Sequence, residues 1–155
     1  MKLLLIEDDF ATASAVQAVL HAEGDKCDAT QSGQRGVELA LSGNYQAVIL
    51  DLLLPELDGM GVLEQLRAAN IKTPVLMLSG VGDVAKKIAC FRAGADDYLV
   101  KPFESAELVA RLAAIARRGS ATATEIESEN ADITHPAALD APAPMAAHSG
   151  YTPAL

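Results

Sequence analysis

The chain has 155 residues, with 12 Lys+Arg against 21 Asp+Glu and a formal net charge of −9, a balance that argues against polyanion binding as its main occupation. Half of the residues are hydrophobic, enough for a core, yet the apolar runs stop well short of the roughly 20 residues that a membrane-spanning helix needs. All 12 basic residues and 16 of the acids fall in residues 1–118, a net −4, whereas the other five acids (Glu125, Glu127, Glu129, Asp132, Asp140) sit in a stretch without Lys or Arg.

In chain order, Met1-Lys2-Leu3-Leu4-Leu5-Ile6 mimics the start of a signal peptide, but Glu7-Asp8-Asp9 ends the run too early, so a cytoplasmic protein is expected. Read by period, short apolar strands at Lys2 to Ile6, Lys26 to Thr30, Ala47 to Leu50, Val75 to Leu78 and Tyr98 to Val100 alternate with amphipathic helices. The helices are predicted from about Phe10 to His21, Gly33 to Leu41, Met60 to Ala69, Val84 to Phe91 and Ser105 to Arg117. Asp9 and Ser32 are placed to cap helix starts, and Gly24, Gly43 and Gly94 follow helix ends. Cys27 and Cys90 have no metal-ligand spacing and read as small buried hydrophobes. From Ser120 on the pattern stops, prolines and alanines accumulate, and residues 119–155 read as an acidic Ala/Pro-rich tail, disordered apart from some helix carried on through Ala121 to Ile126.

Five βα units with short connections imply an α/β fold with a parallel sheet, since parallel neighbours need crossovers. Near-continuous apolar strands such as Ala47-Val48-Ile49-Leu50 fit burial on both faces. In such a sheet, chemistry collects beyond the carboxyl ends of the strands. There the sequence offers Glu7-Asp8-Asp9, Asp51, Ser79 and Lys101-Pro102. Several carboxylates converging at one rim repel each other unless a lysine or divalent cation compensates, and hard oxygen ligands suit Mg²⁺. The blander reading of acids after strands is helix capping, which serves Asp9 equally well. It does not serve Asp51, which stands between Val48-Ile49-Leu50 and Leu52-Leu53-Leu54 with no helix start beside it. Lys101 is the cationic counterpart after Leu99-Val100.

Four segments surround these strand ends: Leu4-Leu5-Ile6-Glu7-Asp8-Asp9, Leu50-Asp51-Leu52-Leu53-Leu54-Pro55-Glu56-Leu57-Asp58-Gly59, Pro74-Val75-Leu76-Met77-Leu78-Ser79-Gly80, and Gly94-Ala95-Asp96-Asp97-Tyr98-Leu99-Val100-Lys101-Pro102-Phe103. By them, across residues 1–118, the chain resembles the receiver domain of two-component response regulators, and most nearly those of the OmpR/PhoB type. The resemblance implies a doubly wound, flavodoxin-like (βα)5 fold with strand order 2-1-3-4-5. It implies too that Asp51 accepts a phosphoryl group from a histidine kinase or histidine phosphotransferase. Asp8 and Asp51 would then bind Mg²⁺ directly, Glu7 through water, and the Leu53 backbone carbonyl would complete the protein ligands. Lys101 would pair with phosphoryl oxygens, Ser79 would turn its hydroxyl to them, and Tyr98 would swing inward unless it is a plain core aromatic. The Lys101-Pro102 bond resembles one the family holds in cis.

In OmpR/PhoB-type receivers the surface of the fourth helix, fifth strand and fifth helix forms a dimer, and Lys87, Asp97, Glu107 and Arg111 match its ion-pairing positions. Arg92 and Ala113 do not match, so a phosphorylation-dependent homodimer is expected with fewer bridges. Leu53 and Val81, two residues beyond Asp51 and Ser79, are apolar where the family borders the path of the hydrolytic water, which implies slow self-dephosphorylation. The chain is thus expected to catalyse only its own phosphorylation and dephosphorylation. A phosphatase of the haloacid dehalogenase type would need a second carboxylate two residues after the nucleophile, and Leu53 stands there. Winged-helix regulators continue into a DNA-reading domain, yet residues 120–155 lack every cation needed to track phosphates. A single-domain receiver without nucleic-acid binding and a truncated transcription factor both remain open.

Overall fold

The computed structural model describes residues 1–80 and 82–132, with the backbone alone for residues 121–132. Five parallel strands, β1 (Lys2–Ile6), β2 (Lys26–Thr30), β3 (Ala47–Asp51), β4 (Val75–Ser79) and β5 (Asp97–Val100), form one sheet in the order β2-β1-β3-β4-β5. The helices α1 (Phe10–Ala22), α2 (Gly33–Ser42), α3 (Gly59–Ala68), α4 (Val84–Arg92) and α5 (Ser105–Asp132) alternate with them. This is the doubly wound order expected.

The inner strands β1, β3 and β4 are buried on both faces, and their side chains divide between two cores with a period of two. Leu4, Ile6, Val48, Leu50, Val75 and Met77 meet Val37, Val62, Leu63, Leu66 and Cys90 of α2, α3 and α4. Leu3, Leu5, Ile49, Leu76 and Leu78 meet Val16, Leu20, Leu108, Leu112 and Ile115 of α1 and α5. Each fully buried Leu or Ile contributes roughly 1.5–3 kcal/mol by leaving water. A one-residue register slip would exchange the two cores, so the pairing Leu4↔Val48 and Val48↔Val75 is firmly set.

Three boundaries differ from the sequence reading in ways that matter. Asp51 and Ser79 are the last residues of β3 and β4 instead of the first loop residues, because the parallel ladder continues past them. The Leu52 amide donates to the Leu78 carbonyl at 2.9 Å and the Lys101 amide to the Ser79 carbonyl at 2.8 Å. The fifth helix also runs on to Asp132, beyond the Arg117 expected and beyond the Ile126 allowed for. Ala and Glu dominate residues 121–132 and the first following proline is Pro136, so nothing local stops the helix. The expected disorder of residues 133–155 lies outside the described residues. Met1–Gly119 forms a compact unit by itself. Among the described residues no helix is long and apolar enough to cross a membrane.

Candidate functional site

The four strand ends converge on one rim because β1, β3, β4 and β5 are adjacent or nearly so in the sheet and all point the same way. At the end of β1, Glu7 is 1% exposed, and its amide donates to the Thr30 carbonyl at 3.0 Å, which ties the turn to β2. Asp51 is 5% exposed at the end of β3. Glu7, Asp8 and Asp51 each offer a carboxylate oxygen, and these oxygens lie within 4.8 Å of one another; Asp8 is the exposed member of the three.

Lys101 enters from the end of β5. Its Nζ donates to Glu7 Oε1 at 2.6 Å and to Asp51 Oδ2 at 3.2 Å, so one ammonium bridges the two buried carboxylates. The other oxygen of Asp51 accepts from the Leu53 amide at 3.2 Å, which fixes the rotation of the acid. The Lys101-Pro102 peptide bond is cis, as the resemblance implied. Burial pushes Glu7 up to about 7, helped by a hydrogen bond with Asp51 and opposed by the bond to Lys101. Burial pulls the Lys101 ammonium down, but its bond to Glu7 and the charge of Asp51 outweigh that, and the net direction is upward.

With every acid ionised, Lys101 leaves two negative charges of the cluster without a counter-charge. A divalent cation with water ligands answers that deficit, and an all-oxygen donor set with one exposed carboxylate suits Mg²⁺. Ser79, fully buried, closes the rim at the end of β4. Tyr98 on β5 is 4% exposed with its ring turned inward, and the Lys87 ammonium lies 6.0 Å from the ring centroid.

Asp9 acts as the N-cap of α1: its side chain accepts from the Thr12 amide at 3.0 Å and from the Thr12 hydroxyl. Of the other singled-out residues, Asp97, Glu107 and Arg111 come together within the chain. Arg111 donates to Asp97 Oδ2 at 3.0 Å and its guanidinium lies 3.1 Å from Glu107. Lys87 stays apart from them, on α4. Leu53 is 58% exposed at the mouth of the site, and Val81 lies outside the described residues. Cys90 is buried as expected, whereas Cys27 is only half-buried.

Sequence reasoning missed the positional role of Gly59. A Cβ there would stand 2.2 Å from the Asp51 carbonyl oxygen and 2.7 Å from Leu52 Cα, so only glycine lets α3 start against the backbone of Asp51. Its amide also donates to the Leu52 carbonyl at 3.0 Å. The Asp58-Gly59 pair was a usable signal, since Asp58 caps α3 by accepting from the Gly61 amide at 2.9 Å. Arg67 was missed too. It donates to the carbonyls of Gly94, Ile71 and Thr73 at 2.6–3.1 Å and locks the opposite end of the sheet, a role with no sequence signature.

A parallel five-stranded sheet with a carboxylate cluster and a lysine at its rim defines a receiver-type signalling domain. The chain belongs to the response regulator receiver domain family, which it matches over residues 3–113. It is 42% identical over 126 residues to the cell cycle transcriptional regulator CtrA of Caulobacter vibrioides, covering 81% of this chain and 54% of that protein. Such relatives are response regulators of the OmpR/PhoB type, and the chain spans about half their length. Among solved structures, it resembles the Francisella response regulator 1452 receiver domain with a TM-score of 0.73 and 33% identity, over 76% of this chain and 97% of that one. It likewise resembles the receiver domain of the Pseudomonas aeruginosa sensor histidine kinase PA1611, a structure with a magnesium ion in the active-site cleft, at TM-score 0.69 and 30% identity over 74% and 96% of the two chains.

Proposed function

We propose that this receiver accepts a phosphoryl group on Asp51 from the phosphohistidine of a histidine kinase or histidine phosphotransferase. The observation that carries the reading is the bridging of the two buried carboxylates, Glu7 and Asp51, by Lys101 beside the exposed Asp8. One oxygen of Asp51 is held by the Leu53 amide and the other faces Lys101, so the attacking carboxylate is oriented before a donor arrives. Attack by a carboxylate oxygen on phosphorus forms the acyl phosphate and returns the electron pair to the donor's imidazole nitrogen. Phosphoryl transfer needs positioning and charge neutralisation more than covalent chemistry, and the ammonium of Lys101, already against Asp51, would pair with the new phosphoryl oxygens. Asp8 and Asp51 would hold Mg²⁺ directly, Glu7 through water, with the Leu53 carbonyl as a further ligand; when bound, the ion neutralises charge on the transferred group.

The new anion at Asp51 then recruits the Ser79 hydroxyl and retains Tyr98 inward, which biases the α4, β5 and α5 surface towards a partner or a second copy of the chain. Lys87, Asp97, Glu107 and Arg111 would contribute the charged contacts of that surface. The chain would act as a cytoplasmic signalling domain whose only catalysis is on its own acyl phosphate.

A second reading has its own observation. CtrA, named as a transcriptional regulator, is matched over 54% of its length, which favours the receiver portion of a winged-helix DNA-binding regulator. Residues 120–155 carry no Lys or Arg, so this chain itself is not expected to hold DNA. Tight binding of duplex DNA at low salt would reverse that expectation. For the main reading, wild type and Asp51→Asn are incubated with a small-molecule phosphodonor and Mg²⁺ and weighed. Wild type gains one phosphoryl group and loses the ability when Mg²⁺ is chelated. Modification of Asp51→Asn to the same extent rejects the proposal.

A further inference from the structure

The sheet ends at β2 on one side and at β5 on the other. In a parallel ladder, alternate residues of an edge strand turn their backbone groups inward and outward. The Lys26 amide donates to the Met1 carbonyl at 2.8 Å and the Thr30 carbonyl accepts from the Glu7 amide at 3.0 Å, so Lys26, Asp28 and Thr30 serve the ladder with β1. Cys27 and Ala29 therefore present their amides and carbonyls at the open edge. Among the described residues only the Cys27 carbonyl is met there, by the side-chain amide of Gln17 at 2.8 Å. Unpaired groups of this kind are a template for another strand.

α1 flanks this edge without crowding it. Its 13 residues include no Asp, Glu, Lys or Arg. Ser14, Gln17, Ala18, His21 and Ala22 line a shallow groove of about 570 Å³ that reaches Cys27. The charge of the edge lies on the strand itself, where Lys26 and Asp28, both exposed, point to one face of the sheet. Among the described residues the Lys26 ammonium has no carboxylate within ion-pair distance. Asp28 accepts from the Tyr45 hydroxyl at 2.7 Å through Oδ2, which leaves Oδ1 for another donor.

A two-fold axis through this edge would set β2 antiparallel to the same strand of a second copy, with the outward residues hydrogen-bonding across it. Charge then chooses the register. Centred on Lys26 or on Asp28, the pairing sets like charges opposite each other. Centred on Ala29, it sets Lys26 and Asp28 opposite Ser32 and Thr30 of the second copy and forms no ion pair. Centred on Cys27, it sets Lys26 opposite Asp28 of the second copy and Asp28 opposite Lys26 of the second copy. The Cys27 amides then meet the Cys27 carbonyls, whose second lone pair is free beside the Gln17 bond. The two α1 helices come side by side on one face of the sheet, uncharged and with small residues between them.

We infer that the open edge of β2 pairs with β2 of a second copy of this chain, antiparallel and centred on Cys27, so that two Lys26–Asp28 pairs fix the register of a continuous ten-stranded sheet. The edge lies across the sheet from β5, so this pairing needs no phosphoryl group and leaves the surface of α4, β5 and α5 open. Cross-strand pairs of opposite charge favour such a register and like charges directly opposite oppose it.

The test is sedimentation of the full, unphosphorylated chain over a range of concentrations. Wild type should form a dimer that dissociates on dilution. In Lys26→Asp and in Asp28→Lys both attractive pairs become like-charge pairs, so each variant alone should dimerise about tenfold or more weakly. Mixed in equal amounts, the two variants should recover the wild-type strength, because both cross-strand pairs are again opposite in charge, and the double variant Lys26→Asp with Asp28→Lys should recover it alone. Asp28→Lys also removes the acceptor of the Tyr45 hydroxyl. The mixture is therefore the deciding sample, since misfolding cannot produce a gain on mixing. Wild type that stays monomeric at about 0.1 mM overturns the inference. So does a dimer indifferent to both substitutions, or a mixture no stronger than its components.

Discussion

Glu7 shows how much the site depends on a single buried acid. Its carboxyl is raised from 4.5 to about 7, chiefly by burial, so the folded chain holds that proton more tightly than the unfolded chain. The resulting stabilisation is complete below about 4.5 and is lost as pH rises towards 7. With Mg²⁺ chelated, the stability of wild type relative to Glu7→Gln should therefore fall across that window in denaturant titrations, and saturating Mg²⁺ should flatten the fall. A difference that rises with pH would refute the assignment. Lys101 carries the opposite charge in the same cluster. Lys101→Met leaves Glu7 and Asp51 facing each other without their bridge and should cost about 1–3 kcal/mol above neutral pH, less in mild acid where Glu7 takes up a proton. A variant equally stable at both pH values would show that the bridge contributes little. Leu53, two residues after the acceptor and exposed, offers no group to orient a hydrolytic water. The acyl phosphate should accordingly decay over about hours, and a half-life of seconds, followed by loss of the added mass, would contradict that.

Helices differ sharply in how firmly they are held. α3 buries Gly59, Val62, Leu63 and Leu66, whereas α4 buries Cys90 alone. A nine-residue helix is marginal without packing, so the opening free energy of α4 should be the lowest among the helices of the compact unit. Native-state hydrogen exchange should find its amides exchanging ahead of those in α3, and protection equal to β3 would be the contrary result. Gly59 makes the start of α3 the rigid counterpart. Gly59→Ala must push the helix away from the Asp51 carbonyl and should lower stability by about 1–3 kcal/mol while slowing phosphorylation of Asp51. Unchanged phosphorylation at reduced stability would leave Gly59 a packing residue only. Much at this scale was legible in the sequence. The short, near-continuous apolar runs of β1, β3 and β4 and the capping residues Asp9 and Ser32 were readable because each is a local signal. What stayed hidden was non-local: Arg67 reaching the carbonyl of Gly94, and the Cβ space denied at Gly59 by the strand beside it. The extension of α5 to Asp132 was underrated because acidic, alanine-rich composition reads as both tail and helix.

At the scale of the whole molecule, the fold brings residues from sequence positions 7, 51, 79 and 101 to one rim, and the strand order does this without any of the intervening loops. The types of those residues could be read in advance, since a carboxylate or an ammonium ending an apolar strand has few structural uses. Their mutual distances could not, because the bridging by Lys101 depends on the stagger of β1, β3 and β5 in the sheet. The net charge likewise separates into a rim that attracts a cation, a fourth helix that is locally positive, and a C-terminal stretch that is only acidic. The account stands or falls on the atom that takes the phosphoryl group. Wild type treated with phosphodonor and Mg²⁺, reduced with borohydride and sequenced by tandem mass spectrometry should carry homoserine at position 51 and nowhere else, the product of reducing an aspartyl phosphate. Homoserine at position 8, or a phosphoryl group found on Ser79 with Asp51 intact, would contradict it.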